Sequence, residues 1–124
     1  MAVSFTDREL DLMAVLWESG AATVAEVKER LEDELAYTTV LSVLRTLEEK
    51  GHIGHTEEGK AYRYHPKVSP QAAGSSALAR LRDKVFGGSA ELLLTQLVND
   101  RNLSREELKR LRALMDDRLA KGKL

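Results

Sequence analysis

No cysteine occurs in this sequence, and proline, phenylalanine and tryptophan each occur only once or twice. Without cysteine the chain can form no disulfide, no thiolate metal site and no cysteine nucleophile. It also has no apolar run long enough to cross a bilayer, and its N-terminus carries no signal-peptide pattern. We therefore expect a cytoplasmic protein without membrane insertion, and the 43% hydrophobic and 31% charged residues are ordinary for a soluble chain.

Charge is close to balanced overall, with a formal net charge of −1, but it is unevenly distributed. Residues 1–35 contain three Lys or Arg and nine Asp or Glu, whereas residues 36–67 contain five and four. Residues 68–124 contain eleven and seven. The acidic part comes first and the remainder is mildly basic, which is only a weak electrostatic sign of a nucleic-acid partner.

Three amphipathic helices are predicted in the first half of the chain. Thr6 with Glu9, and Thr23 with Glu26, each have the spacing of a capping box, in which side chain and backbone at a helix start bond reciprocally. The third helix is predicted from about residue 37 to 50. Its core stripe follows the 3.6-residue period and comprises Val40, Val43, Leu44 and Leu47.

A hairpin is predicted next, with strands at 52–56 and 61–65 around a turn in which Gly59 can adopt a positive φ. Tyr62 and Tyr64 alternate with polar residues, and we expect both on its buried face. Three helices followed by a hairpin are typical of a winged helix-turn-helix. The fold class expected is mainly α with a small β-hairpin: a winged-helix DNA-binding domain over 1–67 and a helical dimerisation region over 68–124.

The third helix carries the side chains that suggest a function. Opposite its core stripe lie short hydroxyl side chains, an arginine and an apolar residue, the types that can approach base edges, phosphates and thymine methyl groups in a major groove. An ordinary solvated helix face is the alternative. The hairpin adds two cations placed to contact phosphates. The predicted DNA-binding residues are Thr38, Thr39, Leu41, Ser42, Arg45, Thr46, Lys60 and Arg63.

Three further helices follow, and one of them is apolar around much of its circumference. Short helices after a complete winged domain cannot bury that surface alone, whereas a two-fold dimer would bury it and would allow a palindrome to be read. The predicted dimer-interface residues are Leu92, Leu93, Leu97, Leu108, Leu111 and Met115.

Neither catalysis nor a cofactor is predicted. The sequence has no nucleophile elbow, no phosphate-binding glycine loop and no evident carboxylate pair. His52, His55 and His65 gather in the hairpin with Glu57 nearby, but histidines three apart on a strand point to opposite faces, which is poor metal-ligand geometry. We expect no metal, no cofactor and no enzymatic activity.

The order and spacing of several segments resemble the penicillinase-repressor family, the BlaI/MecI-type regulators, over nearly the whole chain. They are Glu9–Met13 through Leu16-Trp17, Ala36–Val40, Leu44–Leu47 followed by Lys50-Gly51, Tyr62–Tyr64, and Phe86–Ser89 with the leucine-rich helix after it.

The resemblance implies a homodimer, joined by its C-terminal helices, that represses genes from an inverted repeat in double-stranded DNA. It places DNA contacts on Thr38, Thr39, Leu41, Ser42 and Thr46 and backbone contacts on the wing. In antibiotic-resistance members a membrane sensor-protease signal ends repression by cleavage in the tail.

Some positions depart from the family pattern. Leu41 stands where the family has an arginine, and Ala36 where it has a serine cap, which makes a weaker cap here. The cleavage position aligns with Gln96-Leu97 in place of asparagine-phenylalanine. Copper-responsive relatives use a C-terminal cysteine cluster, which this chain cannot form.

Two alternatives remain at this level. Some winged helices serve only protein–protein contacts, and the weak basic charge of the wing is compatible with such an interaction module. A small-ligand-gated regulator, with a pocket between the winged domain and the tail, is the second alternative.

Overall fold

A computed structural model describes residues 3–122, which form six helices and three short strands. The elements in chain order are α1 (Asp7–Ser19), β1 (Ala22–Thr23), α2 (Val24–Arg30), α3 (Tyr37–Glu49), β2 (Ile53–Glu58), β3 (Ala61–Pro66), α4 (Pro70–Lys84), α5 (Ala90–Val98) and α6 (Arg105–Lys121). The chain divides into two compact units, Met1–Leu78 and Ala79–Leu124.

The core of the first unit lies where α1, α2 and α3 pack with the sheet. The predicted stripe of α3 is confirmed, because three of its members are fully buried and Val43 is half-buried against them. The fully buried large side chains are Leu12, Met13, Leu16, Val27, Val40, Leu44, Leu47, Ile53 and Tyr64. This packing fixes which face of α3 points inward and therefore which face is left outside.

Helix starts follow the capping signals in the sequence. At α1 the Glu9 amide donates to the Thr6 hydroxyl at 3.1 Å, and the Thr6 amide donates to the Glu9 carboxylate at 2.8 Å. The same reciprocal pair forms between Thr23 and Glu26 at α2. Two orphan backbone donors are satisfied at each start, so both capping boxes are confirmed.

The sheet contains one strand that the sequence analysis did not predict. β3 pairs with β2 as the expected hairpin, and its other edge pairs antiparallel with β1. Ala22 lies opposite Tyr64, and Thr23 opposite Arg63. A two-residue strand is too short to show an alternating pattern, and Thr23 already carries the clear signal of a helix cap.

The two hairpin tyrosines differ in burial, so the expectation that both face the core is wrong for Tyr62. Tyr64 is 2% exposed, whereas Tyr62 is 44% exposed. Both lie on one face of β3, but β1 covers the strand only opposite Arg63 and Tyr64. Tyr62 lies nearer the turn of the hairpin and stacks on His55 instead, with ring centroids 4.1 Å apart.

The second unit has no core of its own among the described residues. α5 and α6 begin at the serine caps Ser89 and Ser104, the latter a full capping box with Glu107. Nevertheless no residue of 79–122 is buried. Its large exposed apolar side chains are Leu81, Val85, Leu92, Leu94, Leu97, Val98, Leu108, Leu114, Met115 and Leu119. Within residues 3–122, no helix is both long and apolar enough to span a membrane.

Candidate nucleic-acid interface

The outer face of α3 presents the polar side chains singled out in the sequence. Most of the predicted contact residues of this helix are exposed, namely Thr38, Thr39, Ser42, Arg45 and Thr46. Leu41 is half-buried and packs against the core, so only part of its side chain faces outward. This face therefore carries mainly short hydroxyl side chains, together with the long cationic side chain of Arg45.

These side chains are largely free to bond to a ligand. The Thr46 hydroxyl donates to the Ser42 carbonyl at 3.1 Å, which leaves its oxygen as an acceptor. Within residues 3–122 the other hydroxyls of this face make no hydrogen bond, and Arg45 has no ion pair. At the start of α3, Ala36 provides no side-chain cap, as its departure from serine predicts.

The two cations predicted in the wing, the hairpin of β2 and β3, differ in whether a carboxylate binds them. Within the described residues Lys60 has no carboxylate partner and is exposed at the hairpin turn. Arg63 instead donates from Nε to Glu58 at 2.6 Å and from Nη1 to Glu26 at 2.9 Å. These hydrogen bonds raise the pKa of the Arg63 guanidinium, the bond to Glu58 contributing most. Arg63 therefore fastens the wing to the first turn of α2.

Sequence spacing could have identified one of these partners. Thr56 lies opposite Arg63 in the hairpin, so Glu58 is the diagonal neighbour on the same face. Glu26 is 37 positions away and is brought close only because β1 places the start of α2 beside β3. No local pattern in the sequence signals that contact.

A second connection joins the wing to the end of α3. His55 Nδ1 lies 2.5 Å from a Glu48 carboxylate oxygen, and the imidazole stacks on Tyr62. Among residues 3–122, no three His, Cys, Asp or Glu side chains are grouped so that they could hold a metal ion.

The C-terminal end of α3 is tied to α1 by an ion pair. Lys50 Nζ lies 2.9 Å from Glu9 Oε2 and 3.0 Å from Oε1. Glu9 is 4% exposed. Burial alone would raise the pKa of this carboxyl, but hydrogen bonds from Lys50 and the Thr6 amide, together with the Lys50 charge, leave the pKa below its ordinary value. The same carboxylate thus caps α1 and anchors α3.

Comparison with known proteins gives the family. The model of the penicillinase repressor family matches residues 5–117. The chain belongs to the penicillinase-repressor family. It is 22% identical over 114 residues to the penicillinase repressor of Bacillus licheniformis, covering 90% of this chain and 89% of that protein. It is 21% identical over 110 residues to the methicillin resistance regulatory protein MecI of Staphylococcus aureus (strain N315), covering 87% and 89%.

Solved structures agree with this assignment. The DNA-binding domain of the repressor BlaI matches with a TM-score of 0.51 and 26% identity, covering 58% of this chain and 93% of that one. A mutant MarR from E. coli complexed with operator DNA matches with a TM-score of 0.55 at 14% identity, covering 92% and 75%, which shows the fold alone. The winged-helix fold class is confirmed, and this penicillinase-repressor family member is a DNA-binding transcriptional regulator and not an enzyme.

Proposed function

We propose that this protein is a homodimeric repressor that binds an inverted-repeat operator through the outer face of α3. The observation that carries the proposal is the exposed set of short hydroxyl side chains around Arg45, on a helix whose C-terminal end is fixed by Lys50 on Glu9 and by Glu48 on His55. An arginine can donate two hydrogen bonds to a guanine edge, and short hydroxyl side chains allow the helix backbone to approach the groove closely. Thr38, Thr39, Ser42 and Thr46 supply those hydroxyls, and Leu41 supplies apolar contact for a thymine methyl.

The wing contributes contacts to the sugar-phosphate backbone in this proposal. Lys60 is its first phosphate ligand, since its ammonium group is at the turn and has no carboxylate partner among residues 3–122. Arg63 is already bound to Glu26 and Glu58. It reaches a phosphate with its remaining N–H groups or by releasing Glu58, whose side chain is 63% exposed. Such contacts position the protein without reading sequence.

Dimerisation through α5 and α6 accounts for the apolar surface of the second unit. Full burial of one leucine or methionine side chain is worth about 1.5–3 kcal/mol. Because α5 and α6 expose several such side chains, burying them between two protein chains would strongly favour association. We assign the interface to Leu92, Leu93, Leu97, Leu108, Leu111 and Met115, which are exposed or half-buried in the single chain.

Proteolysis of the tail is the proposed way of ending repression. Gln96 and Leu97 are exposed near the end of α5, and a cut there separates α6 from the rest of the interface. Loss of α6 would weaken the dimer and, through it, the binding of two half-sites. The partner implied is a membrane sensor-protease system, as the family resemblance indicates.

Selection from a random DNA pool tests the proposal directly. Duplexes retained by the full chain should contain an inverted repeat, with half-site centres separated by about one helical turn or a multiple of it. Affinity for the selected duplex should exceed that for a scrambled duplex of equal length and should fall steeply with salt. Sedimentation should give two protein chains per duplex. Equal affinity for the selected and scrambled duplexes would refute sequence-specific repression.

A further inference from the structure

A groove of about 300 Å³ lies beside α3, between the start of α2 and the wing. Its walls include Val24 and Ala25 of α2, Tyr37 and Leu41 of α3, and Lys60 and Tyr62 of the wing. All its lining residues belong to the first unit, so the groove is part of the same compact body as the recognition helix.

Two of the walls are large aromatic side chains that are open to solvent. Tyr37 is 50% exposed and Tyr62 is 44% exposed. Within residues 3–122 neither hydroxyl makes a hydrogen bond, so each retains a donor for a ligand. Stacking on His55 holds the Tyr62 ring in place. The site therefore contains two exposed phenol groups, of which Tyr62 is oriented by its stacking on His55.

The charge of the groove is of one sign. Lys60 is the only charged residue among its described walls, although the first 35 residues of the chain carry nine carboxylates. The acidic side chain closest to this region in the chain, Glu26, is hydrogen-bonded to Arg63 at 2.9 Å. An anion with apolar flanks fits such a groove: the lysine and the phenols bond to the anion, and the aliphatic walls contact its flanks.

We propose that this groove seats the sugar-phosphate strand that borders the base pairs read by α3, with Tyr37 and Tyr62 donating hydrogen bonds to phosphates beside Lys60. The proposal rests on the proposed function, because it extends the DNA-binding face of α3 towards the wing. It explains why Tyr62 is exposed although its alternating position in β3 favours burial. It also adds Tyr37, which the sequence analysis did not identify as a contact.

Substitutions that remove only a hydroxyl test the assignment. Tyr37→Phe and Tyr62→Phe should each weaken binding about two- to tenfold per protomer, the range expected for one hydrogen bond, and by the square of that factor for a dimer on one duplex. The loss should be the same on the selected operator and on scrambled DNA, because phosphate contacts carry no sequence information. Lys60→Gln should lower the slope of log affinity against log salt by about one per protomer, and so by about two for a dimer on one duplex, whereas Lys67→Gln, just after β3, should leave it unchanged.

A matched pair at Ala25 tests the sign of charge that the groove accepts. Ala25 is exposed in the first turn of α2, where either glutamate or glutamine is compatible with the helix. Ala25→Glu should bind DNA at least about tenfold more weakly than Ala25→Gln at about 0.1 M salt, and the difference should shrink as salt rises. Thermal unfolding of each variant checks that the fold is retained.

Two results would overturn the assignment while leaving the proposed function intact. One is wild-type affinity in both phenylalanine variants together with equal binding by the two Ala25 variants. The other is a loss confined to the selected operator, which would make the tyrosines base contacts. A groove that accepts a small aromatic acid instead of DNA would give the first result. If the unmodified chain itself fails to distinguish operator from scrambled DNA, the proposed function fails as well.

Discussion

Replacement of Lys50 by methionine should destabilise the protein more than replacement of its partner Glu9 by glutamine. The Glu9 side chain is 5% exposed and that of Lys50 is 39% exposed. Lys50→Met therefore leaves a carboxylate buried without its cation, whereas Glu9→Gln leaves an ammonium group that can turn into water. Glutamine also retains an oxygen that can accept from the Thr6 amide, so the cap at α1 survives.

The structure sets the size of the effect. Breaking a fully buried pair from one side costs about 3–5 kcal/mol, and an exposed pair contributes about 0–1 kcal/mol. With one partner buried and the other more than a third exposed, we expect a loss of about 1–3 kcal/mol for Lys50→Met. For Glu9→Gln we expect about 1 kcal/mol or less, mainly from a weakened hydrogen bond.

The pH dependence has a definite sign. The pKa of the Glu9 carboxyl is lowered in the folded chain from its ordinary value of 4.5. The pair therefore stabilises the fold above that pH and ceases to do so as the pH falls through the lower, folded pKa. The difference between the wild type and Lys50→Met should be largest near pH 7 and should shrink as the pH falls through the lowered, folded pKa of Glu9, below which the carboxyl is protonated in both.

Urea unfolding at several pH values measures these differences. All proteins should be compared at one chain concentration, because the proposed dimerisation would make apparent stability depend on concentration. Lys67→Met is the control for loss of an exposed lysine and should change stability by less than about 0.5 kcal/mol. Equal losses for Lys50→Met and Glu9→Gln, or a Lys50→Met loss that persists unchanged to low pH, would refute the reasoning.

Other expectations concern DNA binding and the two units. Arg45→Ala should weaken operator binding by about 1–3 kcal/mol in filter-binding or gel-shift titrations. Glu49→Ala, near the end of α3, should leave binding intact or improve it. Full affinity in Arg45→Ala would show that another face reads the DNA. A chain ending at Gln96 should sediment as a monomer and bind the operator weakly, and a stable, tightly bound dimer would exclude cleavage there as the switch. A fragment of residues 1–78 should be a folded monomer. Shortening it to 1–66 should lower its unfolding midpoint, because the removed segment includes Val68, which packs against the core and whose carbonyl accepts a hydrogen bond from Trp17 Nε1 of α1 at 2.8 Å; an unchanged midpoint would contradict this.

The helices were predictable because each carries local signals that its tertiary packing does not override. Thr6 and Thr23 have their glutamates three residues later, and the apolar stripe of α3 follows one period throughout. The polar face opposite that stripe was predictable for the same reason. Once the buried face of a helix is known, the opposite face is the one exposed to solvent.

The contacts that position the wing were less predictable because they join distant segments. Glu26 meets Arg63, and Glu48 meets His55, only after β1 and α3 have packed beside the hairpin. The exposure of Tyr62 has the same origin. Period-two alternation identifies which residues share a strand face, but the extent of the neighbouring strand decides where along that face burial stops.

These contacts belong to the unit proposed to read DNA, and the switch proposed above acts on the other unit. α3 is held at its end by Lys50 on Glu9, and the wing is held by Arg63 on α2 and by His55 on α3. To move the α3 side chains that are proposed to contact DNA, several of these contacts would have to break and a close-packed core would have to rearrange. Residues 79–122, in contrast, bury no side chain by themselves, and the proposed dimer would supply the missing partner surface. If the proposed dimer forms through the tail, a signal that acts there alters dimerisation, and with it operator affinity, while each winged domain keeps its structure.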